Sequence, residues 1–154
     1  MAFKINLSEK TGKTYKLEAE SAELQGKSIR EKISGKDISP ELAGYEFEIP
    51  GASDKAGFPS VENVEGISLK KILLTYGRGL HKRPRKEGKK LKSNMKPKGL
   101  RMRKTVRGKT ISQEIVQVNL KVLKEGSKKL SEIFPEQNKP KEKKEETKPQ
   151  DTSN

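Results

Sequence analysis

Apolar residues fall on every second position in several short windows of this 154-residue chain. Phe3, Ile5 and Leu7 alternate with Lys4 and Asn6, and Tyr15, Leu17 and Ala19 alternate with Lys16 and Glu18. The glycine-containing connection between them, residues 8–13, makes the pair a predicted hairpin with one buried face. Tyr45, Phe47 and Ile49 set against Glu46 and Glu48 predict a strand that Pro50-Gly51 should end. Residues 67–75 predict another, with Lys70-Lys71 breaking the alternation as a bulge would. Val116, Val118, Leu120 and Val122 alternate with Gln117, Asn119 and Lys121, and Gly126 terminates the run.

Two segments are less regular. Ile29 and Ile33 are spaced for a helix, but Gly26 opposes one, so residues 28–33 are expected as a strand or irregular segment. Ser39-Pro-Glu-Leu-Ala-Gly44 combines an N-cap, a proline at the first helical position and a closing glycine, which predicts a single helical turn. Short strands, turn signals and little helix imply a mainly β fold. The expected form is a small closed or partly open β-barrel of about six strands with one or two short helical turns. Closure would remove exposed strand edges. Residues 1–134 are expected to form this domain, including a basic arm at 77–110. From residue 135 the chain turns to Pro, Lys and Glu with no aromatic after Phe134, so 135–154 is expected to be a disordered tail.

Charge changes the picture. The formal net charge is +14, yet residues 70–109 alone carry seventeen Lys and Arg against one acid, Glu87. Such a concentration repels itself unless a polyanion neutralises it, and nucleic acid is the fitting one. Gly77, Gly79, Pro84, Gly88, Pro97 and Gly99 punctuate the stretch, which excludes a continuous basic helix and predicts an extended arm or long loop. It has no leucine and aromatic face for a membrane surface. No aromatic lies between Tyr76 and Phe134, so the stacking platforms of single-strand readers are missing. Phosphate and shape recognition of a folded nucleic acid remains.

Catalytic chemistry finds little support. There is no cysteine, and His81, within the cationic stretch, is the one histidine, which excludes thiolate or multi-histidine zinc sites. Gly12-Lys13-Thr14 ends like a phosphate-binding loop, but Leu7 stands where its first glycine belongs. Asp54-Lys55 is the remaining candidate pair, and a turn-stabilising side-chain contact or an ion pair explains Asp54 better. No enzyme, metal, cofactor or small-molecule substrate is expected. No run approaches eighteen apolar residues, so a soluble intracellular protein is expected.

Four motifs occur in order: Gly51-Ala-Ser-Asp-Lys-Ala-Gly-Phe-Pro59, Arg83-Pro84, Arg103-Lys-Thr-Val-Arg-Gly108 and Ile115-Val-Gln-Val-Asn119. In this series the chain resembles the sixth small-subunit ribosomal protein family of the archaeal and eukaryotic type, from Met1 to about Gly126. The resemblance implies a β-barrel on the small subunit, in the cytoplasm, in contact with ribosomal RNA and neighbouring ribosomal proteins, and no catalysis. Ser53, Asp54, Lys55, Gly57, Phe58 and Pro59 would form the family's signature loop, with Phe58-Pro59 plugging the barrel. Joined with the charge pattern, it implies RNA contacts at Lys55, Arg78, Lys82, Arg83, Arg85, Lys86, Lys89, Lys90, Lys98, Arg101, Arg103, Lys104, Arg107 and Lys109. The alternatives are a transient RNA-associated assembly factor on a similar barrel and, more remotely, an RNA-modifying enzyme. Two departures separate this chain from the family: residues 91–98 look inserted, and a neutral tail stands where eukaryotic members carry a basic helix. The archaeal form fits better.

Overall fold

The computed structural model describes residues 2–83 and 96–138, whose alternating windows become seven strands. They are β1 (Phe3–Ser8), β2 (Thr14–Ala19), β3 (Lys32–Ser34), β4 (Glu46–Asp54), β5 (Leu69–Thr75), β6 (Arg101–Arg107) and β7 (Ile115–Lys124). Five make a mixed sheet in the order β2-β1-β7-β4-β3, and β5 with β6 makes a separate two-stranded hairpin. The β1–β2 hairpin pairs Phe3 with Ala19 through Ser8 with Thr14, as the period-two pattern predicts. The centre of the sheet is β7, antiparallel to β4 and parallel to β1, a pairing that joins the two ends of the chain.

The mainly β expectation holds, but no closed barrel forms among the described residues. Among the described residues β2 and β3 are sheet edges that do not pair with each other, and β3 has only three residues. The sheet instead buries one face beneath irregular segments. Phe3, Ile5, Leu7, Phe47, Ile49, Val118, Leu120 and Val122 pack with Leu24, Ile29, Leu42, Tyr45, Ile111 and Leu130. Leu24 and Ile29 come from loop, Leu42 from a 3-10 turn at Pro40–Leu42 that fulfils the helical-turn expectation, and Leu130 from the short helix α1 (Leu130–Ile133).

Strand details also differ from the pattern. Pro50-Gly51 does not end β4. Glu48 pairs with Lys121 and Gly51 with Asn119, so β4 carries one extra residue there, and a bulge is where a strand tolerates proline. In β7, Gln117 opposes Ser53 while Ile115 opposes Asp54, which leaves Val116 as an extra residue. Ile115, not Val116, is therefore buried. At residues 28–33 only a short strand appears, because Arg30 turns the chain with φ 75. No bulge interrupts Lys70-Lys71, where pairing is regular from Leu69 to Thr75.

Two further expectations change. The basic stretch is not an unpaired arm throughout, since residues 101–107 form β6. Of the expected tail, residues 135–138 lie against β2, and 139–154 fall outside the described residues. The Gln137 side chain accepts from the Lys16 backbone N–H at 2.7 Å and donates to its carbonyl at 2.8 Å, while Asn138 donates to the Thr14 carbonyl. Phe134 stacks on Tyr15 with centroids 5.8 Å apart. Unpaired edge groups invite pairing with other chains, and two amides occupy them here.

Gly108 closes the base of the hairpin. A Cβ at this position would lie 1.8 Å from the Gly66 carbonyl oxygen, where chain enters β5. The Gly108→Ala substitution is expected to cost ~2 kcal/mol or more. Gly51→Ala, with open space around its Cβ position, should stay within ~0.5 kcal/mol of the wild type. Chemical denaturation of the two variants checks the contrast.

Candidate nucleic-acid interface

The β5–β6 hairpin has two unlike faces. Cross-strand partners share a face, so Ile72, Leu74 and Val106 project together and pack on Val61 and Val64. Lys71, Leu73 and Thr75 with Arg101 and Arg103 project the other way. All five of these are exposed, and Leu69 and Leu73 add uncovered apolar surface. Lys70 and Lys104 are exposed as well. This concentration of charge on a two-stranded ribbon explains why β6 is hidden in the sequence. A ribbon with so small a core needs little alternation, so cations occupy both faces.

At one end of the ribbon, Lys82, Arg83, Pro97 and Leu100 line a single cleft, which brings the flanks of residues 84–95 together. Arg83 donates from Nε to the Tyr76 hydroxyl at 2.9 Å, and His81 is exposed with its ring edge-on to Tyr76. Arg78 and Lys98 are exposed. Arg85, Lys86, Lys89 and Lys90 lie outside the described residues, as does most of the 91–98 segment. Lys109 is half-buried and paired with Glu65 at 3.0 Å, and Lys55 is exposed on the signature loop.

Arg107 is different in kind. It belongs to the exposed face by alternation, yet it is only 6% exposed, at the foot of the ribbon. Its Nε donates to Asp54 Oδ2 at 3.0 Å, and its Nη1 donates to the Ile67 carbonyl and to the Glu114 carboxylate. Its Nε and Nη1 are thus taken up by protein groups. Asp54 is the mirror of this. Its Oδ1 accepts from the Phe58 backbone N–H at 2.8 Å, and the backbone closes the turn from Gly57 N–H to Asp54 carbonyl and from Asp54 N–H to Phe58 carbonyl. The turn-stabilising contact and the ion pair expected of Asp54 are both present. Gly57, at φ 86, supplies the left-handed residue of the turn.

Burial by itself would raise the Asp54 pKa. The Arg107 guanidinium and the Phe58 N–H overcome that and hold the carboxyl below the usual range. Burial likewise opposes the charge on Arg107, and Asp54 and Glu114 more than restore it.

The loop also reaches the ribbon through its backbone. Arg107 N–H donates to the Pro59 carbonyl and Val61 N–H to the Arg107 carbonyl, so residues 59–61 run beside the end of β6. Pro59 approaches Gly79, whose missing side chain leaves room for Leu74 and Val106. Phe58 is half-buried. The signature loop is thus a bracket joining β4 to the cationic hairpin. Among the described residues no group of three or more His, Cys, Asp or Glu side chains is placed to hold a metal. No helix among them is long and apolar enough to cross a membrane.

A family model described as Ribosomal protein S6e matches residues 3–135. The chain belongs to the S6e family of ribosomal proteins. It is 43% identical over 128 residues to the small ribosomal subunit protein eS6 of Methanococcus maripaludis (strain C5), covering 82% of this chain and 91% of that one. The protein of the same name from Methanocaldococcus jannaschii is 38% identical over 125 residues, with 81% and 84% covered. That of Archaeoglobus fulgidus is 39% identical over 140 residues, with 87% and 96% covered. The family is one of ribosomal proteins, not of enzymes, and its match stops where the composition changes at residue 135.

The Asp54 carboxyl pKa is lower in the fold than in the unfolded chain. Its contribution to stability is therefore full above the ordinary aspartate pKa, ~3.9, and is lost as pH falls through the lower folded value. Asp54→Asn should destabilise the protein by ~3 kcal/mol at neutral pH by removing the buried one of Arg107's two carboxylate partners. It should also shrink the loss of stability on the acid side. Urea denaturation between pH 7 and pH 3 reads both effects.

Proposed function

We propose that the chain is a structural constituent of the small ribosomal subunit that binds folded ribosomal RNA through its β5–β6 ribbon, by phosphate and shape recognition. The observation that carries this is the exposed face on which Lys71, Arg101 and Arg103 stand together, with Lys70 and Lys104 close by on the same two strands. Arginines there can fork two hydrogen bonds onto one phosphate, and lysines act as point charges. Nothing on the ribbon offers an aromatic platform, which favours backbone contact over base reading.

Of the candidate contacts, Arg78, Lys82, Lys98, Arg101, Arg103 and Lys104 are exposed cations free to meet phosphate, and Arg83 stands half-buried beside them. Arg107 is a positioning residue that fixes the ribbon on the sheet. Lys109 plays a mixed part through Glu65. Leu73, 57% exposed between the cations, suits a ribose face or a neighbouring ribosomal protein in the assembled cytoplasmic subunit. Residues 139–154 take no part in binding, since five Lys interleaved with four acids leave the tract a net charge of only +1.

Filter binding of the full chain to small-subunit ribosomal RNA tests this. If about eight phosphates are engaged, log affinity against log salt should slope about −6 to −7. Arg101→Ala and Arg103→Ala should each weaken binding and flatten the slope by about one, with melting unchanged. A wild-type slope near −2 would refute engagement of the ribbon as a whole. Truncation after Asn138 should leave the affinity as it was. A subunit constituent stays stoichiometric on small subunits through a high-salt sucrose gradient, whereas a transient assembly factor is washed off.

A further inference from the structure

The signature loop has another side, which the ribbon does not use. Ser53, Ser60, Arg78 and Asn119 line a cleft of about 300 Å³ with Pro50 and Pro59 in its walls. We propose that this cleft binds a single nucleotide of ribosomal RNA. The inference rests on the RNA-binding reading above and adds a contact of another kind.

Ser60 is the first reason. The residue is 1% exposed, and its backbone N–H is satisfied by the Ala52 carbonyl. Its hydroxyl, however, has no hydrogen-bond partner among the described residues. A buried polar group left unpaired costs free energy, and a bound acceptor or an ordered water removes that cost.

Asn119 is the second. Its Oδ1 accepts from Asn6 Nδ2 and from Gln117 Nε2, each at 3.1 Å. Two donors on one oxygen fix the orientation of the amide, so its NH2 is presented as a donor. Arg78, exposed at the rim, supplies a permanent positive charge.

Glu62 feels this charge and is also held by a second cation. Arg30, held at φ 75, donates to Glu62 at 2.9 Å and to Glu48 at 3.2 Å. The polar side chains of the lining residues therefore carry hydroxyls, an amide and a guanidinium, and no carboxylate. Such a set selects a ligand rich in acceptors, and the proline walls suit a flat apolar body. A nucleotide has both, in its phosphate and carbonyl oxygens and in its base, and the volume is at the small end for ligand pockets. The amide of Asn119 is also the type of group that reads a base edge, which the ribbon lacks.

The test is filter binding of the full chain to small-subunit ribosomal RNA. Asn119→Asp keeps both accepted hydrogen bonds and turns the amide's donor into an acceptor. Gly51→Leu fills the cleft from a backbone position with open space and no left-handed φ. Both should weaken binding about tenfold and Ser60→Ala about threefold. No variant should lose melting temperature, and the salt slope should stay unchanged for Gly51→Leu and Ser60→Ala, which remove no cation. Gln25→Glu, an equal charge change outside the cleft, should bind like the wild type.

Wild-type affinity in Asn119→Asp and Gly51→Leu would overturn the cleft while leaving the ribbon standing, provided Arg101→Ala still weakens binding. Failure of the wild type to bind would overturn both. Normal RNA binding by the cleft variants with loss of retention on small subunits would assign the cleft to a protein neighbour instead, and that too refutes the nucleotide.

Discussion

One buried guanidinium holds the two parts of this molecule together. A two-stranded hairpin is marginal in isolation, and this one carries a dense excess of positive charge over a core of a few valines, an isoleucine and a leucine. Arg107 sits where the hairpin meets the sheet and is held by Asp54 from β4, Glu114 from the approach to β7 and the Ile67 carbonyl at the entry to β5. Burying a guanidinium costs several kcal/mol before its partners are counted. Here two carboxylates and a carbonyl compensate it, so the pair serves orientation more than stability. An anchor made of charges that only fit one way fixes the angle at which the remaining cations face outward.

The five-stranded sheet was half visible in the chain and half not. Its hairpin, β4 and β7 follow directly from period-two alternation, because one face of each is buried and slippage would expose it. What alternation cannot convey is pairing between distant segments. The parallel contact of β1 with β7 joins residues over a hundred apart, and no local signal specifies it. Closure into a barrel was a plausible remedy for free edges; the chain uses a cheaper one, two side-chain amides of residues 137 and 138 laid along β2. Bulges at Pro50 and Val116 shift the inward set by one residue, which displaced the predicted strand end in one case and the predicted buried valine in the other.

The functional stretch was legible as charge and illegible as structure. Seventeen cations mark the stretch, but a ribbon that buries so little imposes no hydrophobic rhythm, so β6 could not be seen. Arg107 was indistinguishable from Arg101 and Arg103 for the same reason. What sets it apart is a carboxylate fifty-three positions away in sequence, brought near only by the fold. Asp54 was the more readable member of the pair. A short acidic side chain ahead of a glycine signals a local turn contact, and that contact is what forms.

The loop at residues 51–60 now has a physical reason for its composition on both of its sides. Asp54 and Gly57 shape the turn, and Asp54 reaches across to Arg107, so the loop sets the ribbon's place. Ser53, Pro59 and Ser60 turn toward the cleft beneath Arg78 and the oriented amide of Asn119. Because these residues are within a few positions of one another in a braced turn, one loop contributes to both the cleft and the foot of the ribbon. A phosphate surface and a nucleotide pocket held at a fixed spacing discriminate between folded RNAs by geometry, even though neither alone reads much sequence. In the function proposed above, shape recognition would then be a property of the distance between two modest sites, which a single short loop sets.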